Sequence, residues 1–401
     1  MQAIRTKNVW LLSLAQAFHV AAALTAVSVV SLVGLSLAPS PTLATLPNAM
    51  LTIGVALSTI PLSYFMKNTS RRRGFLLGAF FGCLSFSLGV ASIYLESYWM
   101  LCLASLLQGV YQASVLYYRF AAAEAVGADK QKSIAISLVL AGSILAVILA
   151  PSGSNFLNHI FMPHEYAGAF VFMLFMALLA FIPLAFLRPL AIEEMDDVGE
   201  ERSLLEIIKQ PKTICAMTNT AAAWAAMVLM MSATPIAMKH SGHMFEHSSM
   251  VIQWHVLAMY APSLFSGYLI SRFGSLKILF TGMALLGMSF FSAYQGQEFS
   301  HFSFALIFLG AGWNFLFVGA TTLLTETHTP AERAKVQGAN EFLGFTISAL
   351  ASGFAGAIIS IYGWNSLLAL EVVILAVALA VTIWYATTKQ HKTIVRKMEF
   401  E

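Results

Sequence analysis

Residues Phe302–Thr325 read FSFALIFLGAGWNFLFVGATTLLT, an unbroken run without a single Asp, Glu, Lys or Arg. An α-helix rises about 1.5 Å per residue, so a run of this length crosses a hydrocarbon core about 30 Å thick. The signature recurs along the chain. Twelve spans can be drawn: Val9–Val33, Leu43–Met66, Phe75–Leu95, Tyr98–Ala122, Ser133–Leu157, Tyr166–Leu187, Thr213–Met238, Met250–Ile270, Ile278–Gln295, Phe302–Thr325, Val336–Ile361 and Trp364–Thr387. A membrane β-barrel would show short alternating segments instead.

Composition points the same way. Of 401 residues, 58% are hydrophobic and 10% charged, against roughly 45–50% and about 25% in soluble domains. The expectation is an all-α integral membrane protein of twelve transmembrane helices. The first span begins within ten residues of Met1 and is read as retained rather than as a cleaved leader.

Positive charge tests the count, because loops left in the cytoplasm hold the Lys and Arg. With the N-terminus inside, 20 of the 22 basic residues fall in cytoplasmic segments, from Arg5 and Lys7 through Lys67 and Arg71–Arg73 to Lys389–Lys397. The exceptions are Lys239, in an outward loop, and Arg119, inside a span. Both termini are therefore expected in the cytoplasm, and the net charge of +3 reflects topology and not a nucleic-acid surface. Cys83, Cys102 and Cys215 lie in or beside apolar stretches, without metal-type spacing, and read as packing residues.

The longest polar interval, residues 188–212, carries Glu193, Glu194, Asp196, Asp197, Glu200 and Glu201. It divides the chain into an N-terminal six-helix bundle over 1–187 and a C-terminal one over 213–387, followed by a cytoplasmic tail over 388–401. Within this linker Ser203 and Glu206 have capping-box spacing ahead of Leu204, Leu205, Ile207 and Ile208, predicting a short surface helix. The halves echo each other. Gln108-Gly109 leads after some twenty residues to Asp129-Lys130-Gln131-Lys132-Ser133, and Leu309-Gly310 leads at the same offset to Pro330-Ala331-Glu332-Arg333-Ala334. Such repeats suit alternating access around a site near the membrane midplane.

With these features the chain resembles the major facilitator superfamily over nearly its whole length. Gly267-Tyr-Leu-Ile-Ser271-Arg272-Phe-Gly274-Ser-Leu-Lys277 keeps both glycines, the Arg and the basic end of that family's loop motif, with Ser271 in place of the acid. The first copy is reduced to Lys67-Asn-Thr-Ser-Arg71-Arg72-Arg73-Gly74. Ser105 stands where the family often has an Arg three residues before Gln108-Gly109. Ala150-Pro151-Ser152-Gly153 is similar to a motif of drug/proton antiporters, and Thr329–Lys335 to the loop between helices 10 and 11. The resemblance implies two pseudo-symmetric six-helix bundles and solute transport by alternating access.

A charge at bilayer depth costs at least about 2.5–3.5 kcal/mol, so those present should be paired or face water. Arg119, Glu124 and Glu341 share one depth near the cytoplasmic side. In the family architecture that depth is an inner gate, with Arg119 pairing Glu341 and Glu124 facing Arg333; the alternative is snorkelling at the lipid interface. Glu371, in the last span, is expected to pair structurally. Candidate substrate contacts are Gln16, His19, Tyr111, Gln112, Asn219, Trp224, Trp313 and Asn314, with Gln253, Trp254 and His255 from the eighth span. Aromatic faces and neutral hydrogen-bonding groups suit a planar or amphiphilic solute; the alternative role for each is bonding between helices.

His19, His255 and Glu341 are the candidates for proton coupling. An outward loop holds His240, His243, Glu246 and His247, a possible metal or pH-sensing patch whose simpler reading is a solvated loop. No H-E-x-x-H, G-x-S-x-G or P-loop pattern points to an enzyme. The expected function is secondary active transport of a small organic solute across a bacterial cytoplasmic membrane, proton-coupled, by a monomer without cofactor that contacts only membrane lipid and its solute. Drug or metabolite efflux is one alternative, and a non-transporting receptor or scaffold on a transporter fold is another.

Overall fold

A computed structural model describes residues 6–39, 43, 46–126, 129–161, 164, 166–188 and 202–398. The acidic run of the linker lies outside the described residues. Among the described residues the chain is all-helical. Its first compact unit takes in residues 1–197 together with 337–345, and its second takes in 198–336 and 346–401.

In the first unit run α1 (Lys7–Leu37), α2 (Leu46–Asn68), α3 (Arg71–Tyr94), α4 (Tyr98–Val115), α5 (Tyr118–Glu124), α6 (Asp129–Ala141), α7 (Ser143–Ile160) and α8 (Ala167–Ala185). Helix α4 packs between α2 and α3, while α1 lies against α7 and α8. Helices α4 and α5 together form one apolar stretch from Tyr98 to Glu124.

In the second unit run α9 (Leu204–Ile208), α10 (Pro211–His240), α11 (Phe245–Tyr260), α12 (Ser266–Phe273), α13 (Ser275–Gln295), α14 (Phe299–Leu324), α15 (Arg333–Tyr362), whose residues 337–345 group with the first unit, and α16 (Trp364–Met398). Helix α14 is its centre, packed by α10, α11 and α13, and α16 covers α10 and α13. At α9 the Ser203 Oγ accepts from the Glu206 N–H at 3.3 Å, while Glu206 Oε2 accepts from the Ser203 N–H at 2.8 Å. Ile207 is fully buried there.

The sequence echo has a packing cause. A Cβ on Gly109 of α4 would lie 2.4 Å from the Leu51 carbonyl oxygen of α2, and one on Gly310 of α14 would lie 2.6 Å from the His255 oxygen of α11. Only glycine lets these backbones approach so closely. Each unit therefore uses a glycine at the corresponding place to seat its central helix. Gly274, with φ +85°, turns the chain from α12 into α13 in a conformation that favours glycine, which accounts for its place beside Arg272 in the loop motif.

Among the described residues nine helices are long and apolar enough to cross a membrane. The other three expected spans differ from simple rods. Ser133–Leu157 is broken at Gly142, whose N–H bonds back only three residues to the Val139 oxygen at 3.2 Å. Met250–Ile270 is interrupted by a 3₁₀ turn at Ala261–Leu264, where Pro262 supplies no N–H. Val336–Ile361 falls in α15, 30 residues long and unbroken, but with Gln337, Asn340 and Glu341 lowering the hydropathy of its first turns.

Candidate substrate-binding and coupling site

In the first unit, α1 carries Gln16 and His19, both buried, three residues apart and so on one face. Gln16 Nε2 donates to Ser143 Oγ of α7 at 3.3 Å. His19 Nε2 meets Gln112 Oε1 of α4 at 2.7 Å, and the His19 ring stands edge-on to Tyr111 with centroids 4.6 Å apart. In the assigned amide orientation Gln112 accepts, so the neutral imidazole carries its proton on Nε2 and leaves Nδ1 as a bare acceptor. Among the described residues neither His19 Nδ1 nor the Tyr111 hydroxyl has a hydrogen-bond partner, although both are buried.

The second unit supplies the aromatic surface. Trp313 and Phe317, one turn apart on α14, stack with centroids 4.5 Å apart and planes 16° apart. Trp224 of α10 meets each of them edge-on at 5.7 Å, and Tyr260 of α11 reaches Trp313 at 6.3 Å. These are the offset and edge-to-face arrangements that aromatic quadrupoles favour.

Other candidates from the sequence are engaged between helices. Asn314 Nδ2 donates to the Met259 oxygen at 2.8 Å and to Ser263 Oγ, bonding groups at the break after α11. His255 Nδ1 is 2.9 Å from the Leu306 oxygen. Asn219 Nδ2 donates to Thr382 Oγ1 of α16 and to the Cys215 oxygen, each at 2.8 Å. Gln253 and Trp254 are exposed on α11.

Elsewhere in the first unit, Arg119 Nη2 of α5 donates to Glu341 Oε1 of α15 at 2.5 Å, with side-chain exposures of 4% and 0%. Asn340 Nδ2 donates to the same oxygen at 2.7 Å. Glu124 takes Arg71 on both oxygens, at 2.6 and 3.2 Å, and Arg71 also donates to Gln337 at 2.7 Å. Gln337, Asn340 and Glu341 follow i, i+3, i+4 spacing and so present one polar stripe. Arg71 and Gln337 were not legible as partners. Arg71 stands in a basic cluster that reads as membrane anchoring, and nothing in the sequence places it beside Glu124. Arg333 is half-buried in the first turn of α15.

Glu371 corrects an expectation. It is buried on α16, yet among the described residues neither carboxylate oxygen has a hydrogen-bond partner. A single carboxylate on a helix wall has no partner unless a neighbour supplies a donor at its level, and sequence spacing does not reveal that. Between α10 and α11, His243 Nε2 meets the Gln297 oxygen at 2.8 Å, and the His243 and His247 rings are 6.0 Å apart. Among the described residues no group of three or more His, Cys, Asp or Glu could hold a metal. The side chain of Glu246 lies outside the described residues, and His240 is exposed at the end of α10.

In the second unit, Glu332 gathers four donors: the Arg202 N–H, Nε and Nη2 at 3.1, 2.8 and 2.6 Å, and the Thr329 N–H at 2.9 Å. The Arg202 guanidinium, aided by these N–H groups and opposed by burial, holds this carboxyl down at about 2. Lys335 donates to the Arg202 carbonyl oxygen, so the linker at Arg202 is tied to this loop through both its side chain and its backbone.

Apolar helical bundles with aromatic and neutral polar groups sunk at their centres define a multi-pass membrane transporter. The chain belongs to the Major Facilitator Superfamily, whose model matches residues 11–261 and 245–399; this is a family of transporters and not of enzymes. It is 40% identical over 365 residues to the riboflavin transporter RfnT of Brucella anthropi, covering 90% of this chain and 91% of that one. Among solved structures it is similar to a bacterial homologue of the iron transporter ferroportin in an outward-facing state, with TM-score 0.73 at 14% identity over 95% of this chain and 99% of that one. The human organic anion transporter MFSD10 matches with TM-score 0.74 at 12% identity, over 94% and 99% of the two chains. At such identities the likeness carries the fold alone.

Proposed function

We propose that this chain carries riboflavin, or a solute sharing its planar, uncharged heteroaromatic ring, across a bacterial cytoplasmic membrane. The observation that carries the reading is the 40% identity to a riboflavin transporter across 90% of the chain. The geometry suits it: Trp224, Trp313, Phe317 and Tyr260 offer faces and edges on which a flat ring can lie. His19, Gln112 and Tyr111 offer neutral hydrogen-bonding groups instead of the paired cations that a phosphate needs.

In this reading the chain crosses the membrane twelve times with both ends in the cytoplasm, and it acts as a monomer by alternating access. The two bundles are 1–187 and 213–387, joined by the 188–212 linker. Transport draws on the proton gradient, with His19, His255 and Glu341 as the groups to examine, and needs no cofactor. The loop residues Gly267, Arg272, Gly274 and Lys277 shape the turn before α13.

Purified protein in liposomes should accumulate labelled riboflavin saturably, faster when an inwardly directed proton gradient is imposed. Folded protein that neither binds nor moves riboflavin refutes the substrate. Uptake indifferent to the gradient refutes only the coupling.

A further inference from the structure

We infer that the free Nδ1 of His19 is the acceptor for a ring N–H of the transported solute, and that an imide edge, C(=O)–NH–C(=O), is the group it recognises. The inference rests on the riboflavin reading above, since the isoalloxazine ring carries one such edge.

The geometry of the first unit leads there. His19 is 3% exposed and its Nε2 is committed to Gln112 Oε1 at 2.7 Å. With Gln112 Oε1 as the acceptor, the ring proton sits on Nε2 and Nδ1 holds a lone pair. Nδ1 is buried and unpartnered. A buried acceptor without a donor is disfavoured, and such groups in a native fold call for a reason. The adjoining ring has the complementary want: the Tyr111 hydroxyl, on a ring edge-on to His19 at 4.6 Å, is a donor with no acceptor.

An imide presents a donor N–H flanked by two carbonyl acceptors. Its N–H would go to His19 Nδ1 and a neighbouring carbonyl to the Tyr111 hydroxyl, so both unpaired atoms would be satisfied by one edge. Gln112, beside these two buried side chains, is only half-buried. No group changes its charge on binding, consistent with a neutral solute. Gln112 is a positioning residue in this scheme, because it sets which nitrogen is bare and touches the solute through His19.

The test compares riboflavin with N3-methylriboflavin, which keeps the ring system and lacks the imide N–H. Dissociation constants on purified full-length protein should favour riboflavin by about tenfold or more, since a site built around a hydrogen bond rejects the analogue that lacks the partner. In His19→Leu the preference should fall to near unity. In His19→Asn, whose carbonyl oxygen can stand in for Nδ1, most of it should remain, and this variant controls for misfolding of the first.

Equal binding of the two flavins by the wild type, or an undiminished preference in folded His19→Leu, overturns the inference while leaving riboflavin as substrate. Absence of binding of either flavin to folded wild-type protein overturns both.

Discussion

Replacing Glu341 by Gln keeps the shape of the side chain and removes its charge. Arg119 would then stay 3% exposed without its anionic partner. Deleting one member of a buried ion pair costs about 3–5 kcal/mol, because the remaining charge is left uncompensated in a poorly polarisable site. The 2.5 Å contact and the nearly zero exposure of both side chains place this pair in that class.

The loss falls on the conformation in which Arg119 meets Glu341. Relative to any conformation in which Arg119 reaches water, its population should fall roughly 100- to 5,000-fold. The assay is maleimide labelling from the cytoplasmic side of a cysteine placed at Ala123, one turn beyond Arg119 and 1% exposed, in a chain whose Cys83, Cys102 and Cys215 are replaced by Ala. Labelling should speed up at least about tenfold in Glu341→Gln and in Arg119→Gln. It should slow again in Arg119→Met/Glu341→Leu, since apolar replacement of a whole buried pair is tolerated. Unchanged labelling in both single variants would refute the reasoning that this ion pair keeps the helix around Ala123 shielded.

The other predictions follow from separate parts of the molecule. Trp313→Ala should raise KM for riboflavin at least about tenfold while Trp313→Phe stays within a few-fold, because stacking on Phe317 and the edge contact to Trp224 need an aromatic ring; equal loss in both variants would argue against a ring platform. Glu371→Leu should raise Tm in detergent, by a gain of about 1–3 kcal/mol from removing an unpartnered buried carboxyl, whereas Glu371→Gln should not; a lower Tm in the Leu variant counts against the reading. Glu332 has its carboxyl depressed from 4.5 to about 2, so the stability it contributes is complete above about pH 4.5 and is lost as pH falls toward 2. Accordingly Glu332→Gln should melt below the wild type at pH 7, with the gap narrowing only in that acid window, and a gap that closes nearer neutrality would contradict it.

Much of the molecule was legible before any coordinates. The helical class follows from runs such as Phe302–Thr325, because lipid forces each apolar stretch to satisfy its backbone within itself. The capping box at Ser203 and Glu206 is a local pattern and forms locally. Gly109 and Gly310 stood out as an echo, though only the packing shows that both admit a neighbouring backbone. The Arg119–Glu341 contact was an expectation from family architecture, and spacing alone would not have joined residues 222 positions apart.

What sequence by itself determined was everything carried by composition and short-range order: membrane spans, their charge bias, the repeat, and the inventory of polar side chains that lipid makes costly. Tertiary structure alone decided which atom of each side chain is spent on a neighbouring helix and which is left without a partner among the described residues. Asn314, Asn219 and His255 each hold a neighbouring helix through one nitrogen and keep a second polar atom unpartnered, Arg71 is drawn to Glu124, and His19 bonds Gln112 and keeps Nδ1 bare. The physical reason is that a hydrogen bond depends on where two groups meet to within a few tenths of an ångström, while hydropathy depends only on what a segment is made of.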